Sequence, residues 1–567
     1  MPNGEWANDY QDDLVDCLKR KGAIEGDGKN FVEEWRRNGD TYRSLHRGWK
    51  RIEALGVGDE WAQMVISLLG PVSDPPSNVG HKRKSIAIVG AGTAGLAMLK
   101  TLLDLPERDA WDIVLFEERE NVGGVWLPDP HPEPPPTIPK APLYPAMHTN
   151  IPVPSMTYPN FPYPVGTHLF PSHEHVESYL VSYAHHYGLL RYIRFNHRVL
   201  NASWSGTPEA GIWNITFLDC QNEIRSDVFE HLVDATGNNR TPQIPSWPGQ
   251  DEWLADGASK HGRKREIIHS AWYRRPETYA NKSILIVGDS ASGRDVTTQT
   301  APVVSKVYVS TRNTHQKIKD IALGHLPPNA IRKPEISHFT RDSIVFIDDT
   351  EIADVDSIIL ATGYQLRKPF LEAGHALAID SKANSNNTKE TLVCNTRYIY
   401  PLYKHIFSLS PMYPTTALSF VGLPIGPASF HSDVAQSIFI AYNIRESRLP
   451  TRQTMLHELE QQEQALKAEE IDPYTVGHRV PRGSDYQDGL VDYLKQKGAI
   501  QDDGKNFVEE WRRKDVTYFH LQRGWKRIKA LGVGDEWVKG VSTEEQWSDL
   551  MDRVNAWQKE YEEGTAA

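Results

Sequence analysis

The chain has 567 residues, a formal net charge of −12 and three cysteines. This length accommodates several domains, and the acidic balance argues against a nucleic-acid-binding surface, which needs a basic face. Cys17, Cys220 and Cys394 lie far apart and form no CxxC pair, so we expect neither a thiol redox centre nor a metal site. The polar N-terminus and the lack of a long apolar run predict a soluble, intracellular, cytoplasmic protein without a transmembrane segment.

The first predicted region is a helical module with a linker, residues 1–80. Residues 9–61 recur without gaps as residues 485–537, with about three-quarters of the paired positions identical, which indicates a duplication. Each copy ends in apolar residues at helical spacing, and we expect this stripe to pack on the core or on its twin. Pairing of the modules within one chain and exchange between the chains of a homo-oligomer both stay open. The stripe of the second copy consists of Tyr518, Leu521, Trp525, Ile528 and Leu531.

A dinucleotide-binding fingerprint comes next. The apolar run 86–89 predicts a buried strand, and it leads through Gly90, Gly92 and Gly95 into a helical pattern. Glycine permits the tight turn and the close approach of a diphosphate, while the helix N-terminus offers unpaired N–H groups. Glu117 closes the next apolar run, at the position where an acid binds a ribose. Together these features predict one bound nucleotide.

A second, altered fingerprint begins at Gly288, again after an apolar run, and continues through Ser290, Ser292 and Gly293. Ser290 stands where the middle glycine is expected. A Cβ at this position limits the approach of a diphosphate, although the small neighbouring residues keep the turn usable. The sequence therefore predicts a second nucleotide site of altered geometry.

The residue after the next strand distinguishes the nicotinamide cofactors. The predicted strand 306–310 is followed by Arg312, where an acid favours NAD and an arginine accommodates the 2′-phosphate of NADP. We therefore predict a preference for NADPH, with Lys306 or Lys317 as weaker candidates to assist.

Taken in order, these motifs resemble those of class B flavin-containing monooxygenases, over about residues 81–449. The resemblance implies an α/β fold with two Rossmann-like, dinucleotide-binding domains. The FAD-binding domain is expected in two parts, 81–242 and 363–450, around an NADPH-binding domain at 243–362. A C-terminal helical extension, 451–567, contains the second repeat copy. The residues expected to bind the two cofactors are Gly90, Gly92, Gly95, Glu117, Arg119, Gly124, Trp126, Thr236, Gly237, Gly288, Ser290, Ser292, Gly293, Ser310, Arg312, Thr362, Gly363 and Gln436.

The resemblance also implies the reaction. NADPH reduces FAD, O₂ forms a C4a-hydroperoxyflavin, and a nucleophilic nitrogen or sulfur of a small organic substrate takes one oxygen atom. N-oxygenation is expected first. The many aromatic residues of the core, such as Tyr144, Tyr158 and Phe161, suggest a bulky aromatic or alkaloid-like amine of secondary metabolism as one substrate class. Asn150 is expected to act beside the reacting flavin carbon, and Gln436 to begin a helix aimed at the flavin ring. His269 is expected to be structural or to contact NADP.

Other functions stay open. A Baeyer–Villiger monooxygenase acting on a ketone is the nearest, although Arg263 and Arg265 occupy the places of its Phe-x-Gly segment. C-hydroxylation or epoxidation of an indole ring is another. A flavin disulfide reductase needs a CxxC motif, which the chain lacks. A non-enzymatic dinucleotide-binding protein with the terminal modules as its partner surface is the fourth.

Overall fold

The computed structural model describes residues 84–255, 259–312, 326–384, 389–427, 429–480, 482–518 and 520–566. The N-terminal copy of the repeat, its linker and Lys317 lie outside these residues.

In the described residues, strands interspersed with α-helices extend to Phe420, and helices make up the regular structure from Ser429 onward. Strands β1 to β23 span, in order, Lys84–Val89, Trp111–Phe116, Ile193–Arg194, Arg198–Gly206, Gly211–Leu218, Ile224–Phe229, His231–Asp234, Thr241–Pro242, Glu266–His269, Ser283–Val287, Lys306–Ser310, Ala330–Lys333, Ile336–Phe339, Ile344–Phe346, Glu351–Ile352, Ser357–Leu360, Tyr364–Gln365, Ala378–Ile379, Val393–Cys394, Ile399–Tyr400, Leu402–Tyr403, Phe407–Ser408 and Leu418–Phe420. Helices α1 to α12 span Thr93–Asp104, His173–His186, Gln250–Ala255, Ala291–Thr300, Pro369–Ala373, Ser429–Arg445, Arg452–Ala468, Pro473–Val476, Gly483–Gln496, Leu521–Ala530, Gly534–Trp537 and Glu544–Ala566. Short 3-10 helices span Pro106–Ala110, Gly124–Trp126, Val153–Met156, Leu190–Tyr192, Ser270–Trp272, Pro276–Tyr279, Thr415–Ala417 and Glu510–Thr517.

The first large sheet has the strand order β21-β22-β23-β7-β1-β2-β3. Strand β1 lies between β7 and β2 and runs parallel to both. Its side chains alternate between two cores. Ile86 and Ile88 pack with α1 and α6, whereas Ala87 and Val89 pack with the antiparallel sheet β4-β5-β6. Burial on both faces explains why this strand is apolar without interruption from Ile86 to Val89.

The second large sheet, β12-β11-β10-β16-β9, is parallel throughout. Its central strand β10 shows the same alternation. Ile284 and Ile286 pack with α4, and Leu285 packs with the small antiparallel sheet β13-β14-β15. The prediction of two Rossmann-like regions is therefore confirmed at the level of the fold, although the first sheet is mixed, because β22 runs antiparallel to both β21 and β23. The chain enters and leaves this second region through the antiparallel pair β8 and β17.

The C-terminal region is helical and shares the core of the first sheet. In α10, Leu521, Trp525 and Ile528 are buried in the same core as α1 and α6, as the stripe predicts. Leu531 is exposed, because α10 ends at Ala530 and the chain turns at Gly532, which has a φ of +74°. None of the helices in the described ranges is both long and apolar enough to cross a membrane.

Candidate functional site

The first glycine turn, residues 90–95, lies between β1 and α1. Gly90 has a φ of +102°, and a Cβ there would stand 2.7 Å from the carbonyl oxygen of Ala235. A Cβ on Gly95 would stand 1.8 Å from the carbonyl oxygen of Gly90. Both positions therefore require glycine in this backbone.

The middle glycine of this turn faces a second pair of glycines. Gly92 begins α1 in extended conformation, and a Cβ on Gly124 would stand 2.8 Å from the Cα of Gly92. The N–H of Gly123 donates to the carbonyl of Ala91 at 3.0 Å. The predicted site residues Gly92 and Gly124 are thus in direct contact, and Trp126, half-buried at the end of the same segment, packs against the main core.

Glu117 connects the end of β2 to this turn. Its Oε2 accepts a hydrogen bond from the N–H of Ala91 at 2.7 Å, and its Oε1 accepts one from the N–H of Arg119 at 2.9 Å. Burial raises the pKa of the Glu117 carboxyl, and the two backbone donors oppose that rise. Each oxygen keeps a further lone pair for a ligand hydroxyl.

Arg119 is buried beneath the same segment. Its guanidinium donates to the carbonyls of Leu127 at 2.5 Å and Pro128 at 2.6 Å. Its Nε has no hydrogen-bond partner among the described residues. The geometry makes Arg119 a brace for the loop around Trp126.

The predicted Thr236 and Gly237 lie across the turn from Glu117. The Cα of Thr236 is 3.2 Å from the position of a Cβ on Gly90. Thr236 donates from its N–H and hydroxyl to Asp234 Oδ1, at 2.9 and 2.6 Å. Lys368 Nζ lies 2.9 Å from Asp234 Oδ2 and donates to Gly237 O at 3.0 Å. The Asp234–Lys368 ion pair, with both side chains at most 1% exposed, thus holds Thr236 and Gly237 in place beside the first turn.

The second glycine turn, residues 288–293, repeats the first. Gly288 has a φ of +108°, and a Cβ there would stand 2.4 Å from the carbonyl oxygen of Ala361. A Cβ on Gly293 would stand 2.0 Å from the carbonyl oxygen of Gly288. Ser290 begins α4 with a φ of −104° and a ψ of −165°, an extended backbone that any residue adopts. Ser290 and Ser292 are both exposed at the helix N-terminus.

Charge sets the second turn apart. Asp289 is fully buried within it and pairs with Arg294, whose Nε lies 2.9 Å from Oδ1. Arg332, on the edge strand β12, lies 3.1 Å from Oδ2 of the same carboxylate. Two guanidinium groups around one carboxylate leave this turn with an excess of positive charge, which suits a phosphate-bearing ligand.

Arg312 follows β11 at the edge of the second turn. Its side chain is 79% exposed, and its Nε lies 3.5 Å from Glu335 Oε2. Ser310 is buried, with its hydroxyl donating to Pro334 O at 2.7 Å, so its side chain is already engaged. Lys306 begins the same strand and donates to Asp354 at 2.8 Å. The expectation that Lys306 assists Arg312 is wrong, because they lie at opposite ends of the strand, about 13 Å or more apart at ~3.3 Å per residue.

The two regions are joined at Thr362 and Gly363. The hydroxyl of Thr362 donates to the carbonyl of Gln243, and Gln243 N–H donates back to the carbonyl of Gly363 at 2.8 Å. His269 Nε2 lies 2.9 Å from that same Gly363 carbonyl, and its Nδ1 accepts from Ala271 N–H. Burial lowers the pKa of His269 to about 4, so the ring is neutral. His269 therefore fixes the crossover, which is the structural role the sequence left open.

Helix α6 packs along α1. Gln436 is fully buried in it, accepting from the N–H of Gly422 at 3.1 Å and donating to the carbonyl and hydroxyl of Ser432 at 3.1 and 2.9 Å. Its carboxamide is thus used within the protein, and it positions the end of β23 rather than presenting an open amide.

Asp433, one turn earlier in α6, faces the first glycine turn. It accepts a hydrogen bond from the side chain of Thr93, and burial raises its pKa to about 7. Its Oδ2 is buried without a hydrogen-bond partner in the described structure. Asp433 is not among the residues predicted from the sequence, although its carboxyl group in a helical stretch that holds no other Asp, Glu or Lys was a signal that could have found it.

Asn150 lies in an exposed bend before the 3-10 helix Val153–Met156. Its amide has no hydrogen-bond partner within the described ranges, so it is open to a ligand. The segment that follows reaches the first turn, because Tyr158 donates from its hydroxyl to the carbonyl of Thr93 at 2.7 Å. The contact with the first turn is thus made by Tyr158, eight residues after Asn150, and not by Asn150 itself.

A cleft of about 320 Å³ opens beside the start of α6. Ser155, His431 and Arg512 are among its lining residues, so both the loop after Asn150 and the C-terminal module contribute to it. Arg512 anchors the module by donating to Pro154 O and, at 3.0 Å, to Thr157 Oγ1. No cluster of three or more potential metal ligands occurs in the part of the chain that the structure describes.

Comparison with known proteins places these features in one family. Residues 83–331 and 326–495 match the family model described as FMO-like, flavin-binding monooxygenase-like. Flavin-containing monooxygenase FMO GS-OX4 of Arabidopsis thaliana is 26% identical over 503 residues, covering 85% of this chain and 96% of that protein. FMO GS-OX-like 8 of the same plant is 27% identical over 456 residues, covering 77% and 89%.

Solved structures agree with this assignment. S-allyl-L-cysteine S-oxygenase from Allium sativum has a TM-score of 0.65 and 25% identity, covering 84% of this chain and 99% of that one. Tmm from Pelagibacter has a TM-score of 0.59 at 21% identity, covering 77% and 91%, which supports the fold alone.

Proposed function

The chain belongs to the flavin-binding monooxygenase-like family, whose members use FAD and NADPH, and we propose that it oxygenates a nucleophilic sulfur or nitrogen atom of a small organic molecule. The enzyme class follows from the family. The acceptor atom and the residue roles that follow are the proposal.

We assign FAD to the first glycine turn. The turn supplies the three features that a flavin dinucleotide needs: glycines that admit a diphosphate, the N-terminus of α1, and Glu117 for ribose hydroxyls. The contact between Gly92 and Gly124 supports this assignment, because a Cβ on Gly124 would stand 2.8 Å from the Cα of Gly92, which caps the N-terminus of α1.

We assign NADPH to the second glycine turn, with Arg312 reading the 2′-phosphate. The excess of positive charge around Asp289 and the exposed guanidinium of Arg312 support this assignment. The replacement of glycine by Ser290 does not strain the backbone of this turn, because the extended conformation of Ser290 is one that any residue adopts.

When bound, FAD accepts hydride from NADPH and, once reduced, activates O₂ for transfer of one oxygen atom to a nucleophile. The overall reaction is substrate + O₂ + NADPH + H⁺ giving oxygenated substrate, water and NADP⁺. The protein's part is to bind, orient and exclude water, since the cofactors carry the difficult chemistry. Asn150 contributes an amide donor beside the reacting atoms, in our proposal, and its open side chain supports that role.

The observation that carries the choice of a soft nucleophile is the likeness to S-allyl-L-cysteine S-oxygenase, which covers 84% of this chain and 99% of that protein. The two arginines that replace the Phe-x-Gly residues of the Baeyer–Villiger pattern before His269 have structural roles. Arg265 is buried and donates to Trp253 O and Arg341 O, and Arg263 pairs with Asp356. Both arginines brace the second region.

The test is a substrate panel with purified holoenzyme, NADPH and air. S-allyl-L-cysteine, a tertiary amine, cyclohexanone and indole are compared by mass spectrometry of the products. A sulfoxide or an N-oxide, formed in step with NADPH consumption, supports the proposal. An ester from the ketone, or oxygenation of an indole carbon, with no turnover of sulfur or nitrogen compounds, would overturn it in favour of those alternatives. The Gly92→Val variant is the matched control, because it should not retain FAD.

A further inference from the structure

A buried carboxyl group stands behind the predicted diphosphate site. Asp433 is 1% exposed, and its carboxyl accepts a hydrogen bond from Thr93, the first residue of α1. Its Oδ1 lies 3.6 Å from where a Cβ on Gly422 would stand, and Ala94 Cβ lies 3.3 Å from that same point. Asp433 is therefore packed against the first turn of α1, at the helix end where the diphosphate of a dinucleotide binds.

A charge at this position would act on the diphosphate. Thr93 is only partly buried and its side chain is hydrogen-bonded to Asp433. It therefore stands between Asp433 and the proposed cofactor site. An ionised carboxylate one residue behind a diphosphate repels it, and inside a protein that repulsion is screened much less than in water. A neutral carboxylic acid at the same position exerts no such repulsion.

We propose that Asp433 makes binding of FAD depend on a proton: acting through Thr93, it supports the diphosphate site as a neutral acid and weakens that site when it is ionised. It is a positioning residue rather than a catalytic one. The inference rests on the proposed assignment of FAD to the first glycine turn.

The surroundings of Asp433 explain why its carboxyl group keeps its proton up to about neutral pH. Burial raises its pKa to about 7, and the bond from Thr93 works against that rise. The other titratable groups that face it are Tyr158, from the loop after Met156, and Tyr486, from α9. Burial raises the pKa of both phenols, so they stay neutral. His431, earlier in α6, is neutral too, because burial lowers its pKa to about 4.

The direction of the pH effect follows. Below about pH 7 Asp433 is neutral and the affinity for FAD is constant. Above about pH 7, Asp433 of the FAD-free protein loses its proton. FAD binding then requires the uptake of a proton by Asp433, so the affinity for FAD falls by up to about tenfold per pH unit. Cofactor binding itself raises the pKa of Asp433, because the diphosphate disfavours the ionised form.

The experiment measures FAD release from the diluted holoenzyme by flavin fluorescence between pH 6 and pH 9. The wild type should lose at least about tenfold in affinity over this range. The Asp433→Asn variant keeps size and hydrogen-bonding capacity but cannot ionise, so it should vary less than about threefold and match the wild type at pH 6. A slope in Asp433→Asn equal to that of the wild type would overturn the inference.

A second variant protects the test against misfolding. Thr93→Val removes the hydroxyl that stabilises the ionised form, so the midpoint of the pH profile should move upward, whereas Thr93→Ser should leave it in place. An unmoved midpoint in Thr93→Val contradicts the inference. Failure of the site assignment is separately visible, because Gly92→Val would then retain FAD.

Discussion

The two glycine turns share one backbone but differ in where they hold charge. Gly90 and Gly288 have φ values of +102° and +108°, and the last glycine of each turn lies against the carbonyl of the first. The steric demands of a strand-to-helix turn therefore fix both in the same way. What differs is the residue after the adjacent strand, a buried Glu117 in the first turn and an exposed Arg312 in the second.

The buried charges differ as well. Next to the first turn, Lys368 pairs with Asp234. Lys368 also donates hydrogen bonds to Thr236 and Gly237, which connect the pair to the turn. Inside the second turn, Asp289 itself carries the pair with Arg294. In our proposal, the shared backbone geometry makes each turn a nucleotide site, and the placement of charge selects which nucleotide it takes.

The largest effect is expected from adding a methyl group at the last glycine of each turn. Gly95→Ala would place a Cβ 1.8 Å from a backbone oxygen, and Gly293→Ala would place one at 2.0 Å. We expect Gly95→Ala to lose bound FAD, and Gly293→Ala to stay yellow but to resist reduction by NADPH. Absorbance of the purified variants and anaerobic reduction measure the two losses, with thermal unfolding as the control for global damage. If Gly95→Ala retained FAD in full, the first turn would not be its site.

The next effect concerns the buried pair below the first turn. Lys368→Met leaves the fully buried carboxylate of Asp234 without its positive partner. Removing one partner of such a pair lowers the free energy of unfolding by about 3–5 kcal/mol. Chemical denaturation measures the loss. The Asp234→Asn/Lys368→Met double variant should recover most of it, since no charge is left unpaired and an amide oxygen still accepts the hydrogen bonds from Thr236. A single variant as stable as the wild type would show that the pair does not support the turn.

Removal of the predicted phosphate reader should separate the two nicotinamide cofactors. Arg312→Ala is expected to raise the KM for NADPH roughly tenfold, the lower end for a charge-assisted contact at an exposed site, and to leave the KM for NADH unchanged. Lys306→Ala is the matched control and should change neither value, because it lies at the far end of β11. Equal effects of Arg312→Ala on both cofactors would rule it out as the phosphate reader.

Asn150 lies in the loop tethered to the first turn and tests the chemistry rather than the binding. Asn150→Ala should divert part of the O₂ to hydrogen peroxide, with a severalfold drop in product formed per NADPH, while FAD stays bound. Asn150→Asp is a useful companion, because it keeps the shape but loses the amide donor. Unchanged coupling in both variants would remove Asn150 from the active site.

The smallest effect is expected from restoring the missing glycine of the second turn. Ser290→Gly should tighten the binding of NADP⁺ by about two- to fivefold, because the backbone is already extended and only the Cβ and the hydroxyl that it carries are removed. FAD content should not change. Weaker binding of NADP⁺ would show that the Ser290 side chain contributes to the site.

The sequence predicts the two turns well because their signals are local. A buried strand, glycines at fixed spacing and a helix lie within about 20 residues, so Gly90, Gly288 and the parallel strands behind them can be identified from the amino-acid sequence alone. The helical stripe of the C-terminal copy is confirmed for the same reason, up to Leu531, where the helix has already ended.

The remainder depends on contacts between distant segments. Lys368 meets Asp234 across 134 positions of sequence, and Asp433 meets Thr93 across 340. No local pattern links these residues, and only the tertiary fold brings them together. The same holds for Gln436, which faces Gly422 instead of an open site, and for Lys306, which lies at the wrong end of its strand.

The proposed activity is the transfer of one oxygen atom of O₂ to a nucleophile at the expense of NADPH. Its clearest test is a reaction of the holoenzyme with NADPH, S-allyl-L-cysteine and ¹⁸O₂, followed by mass spectrometry and assays of NADPH and hydrogen peroxide. We predict a sulfoxide carrying one labelled oxygen for each NADPH consumed, with little hydrogen peroxide. The proposal would be contradicted if neither this substrate nor a tertiary amine acquired label and all the oxygen consumed were recovered as hydrogen peroxide.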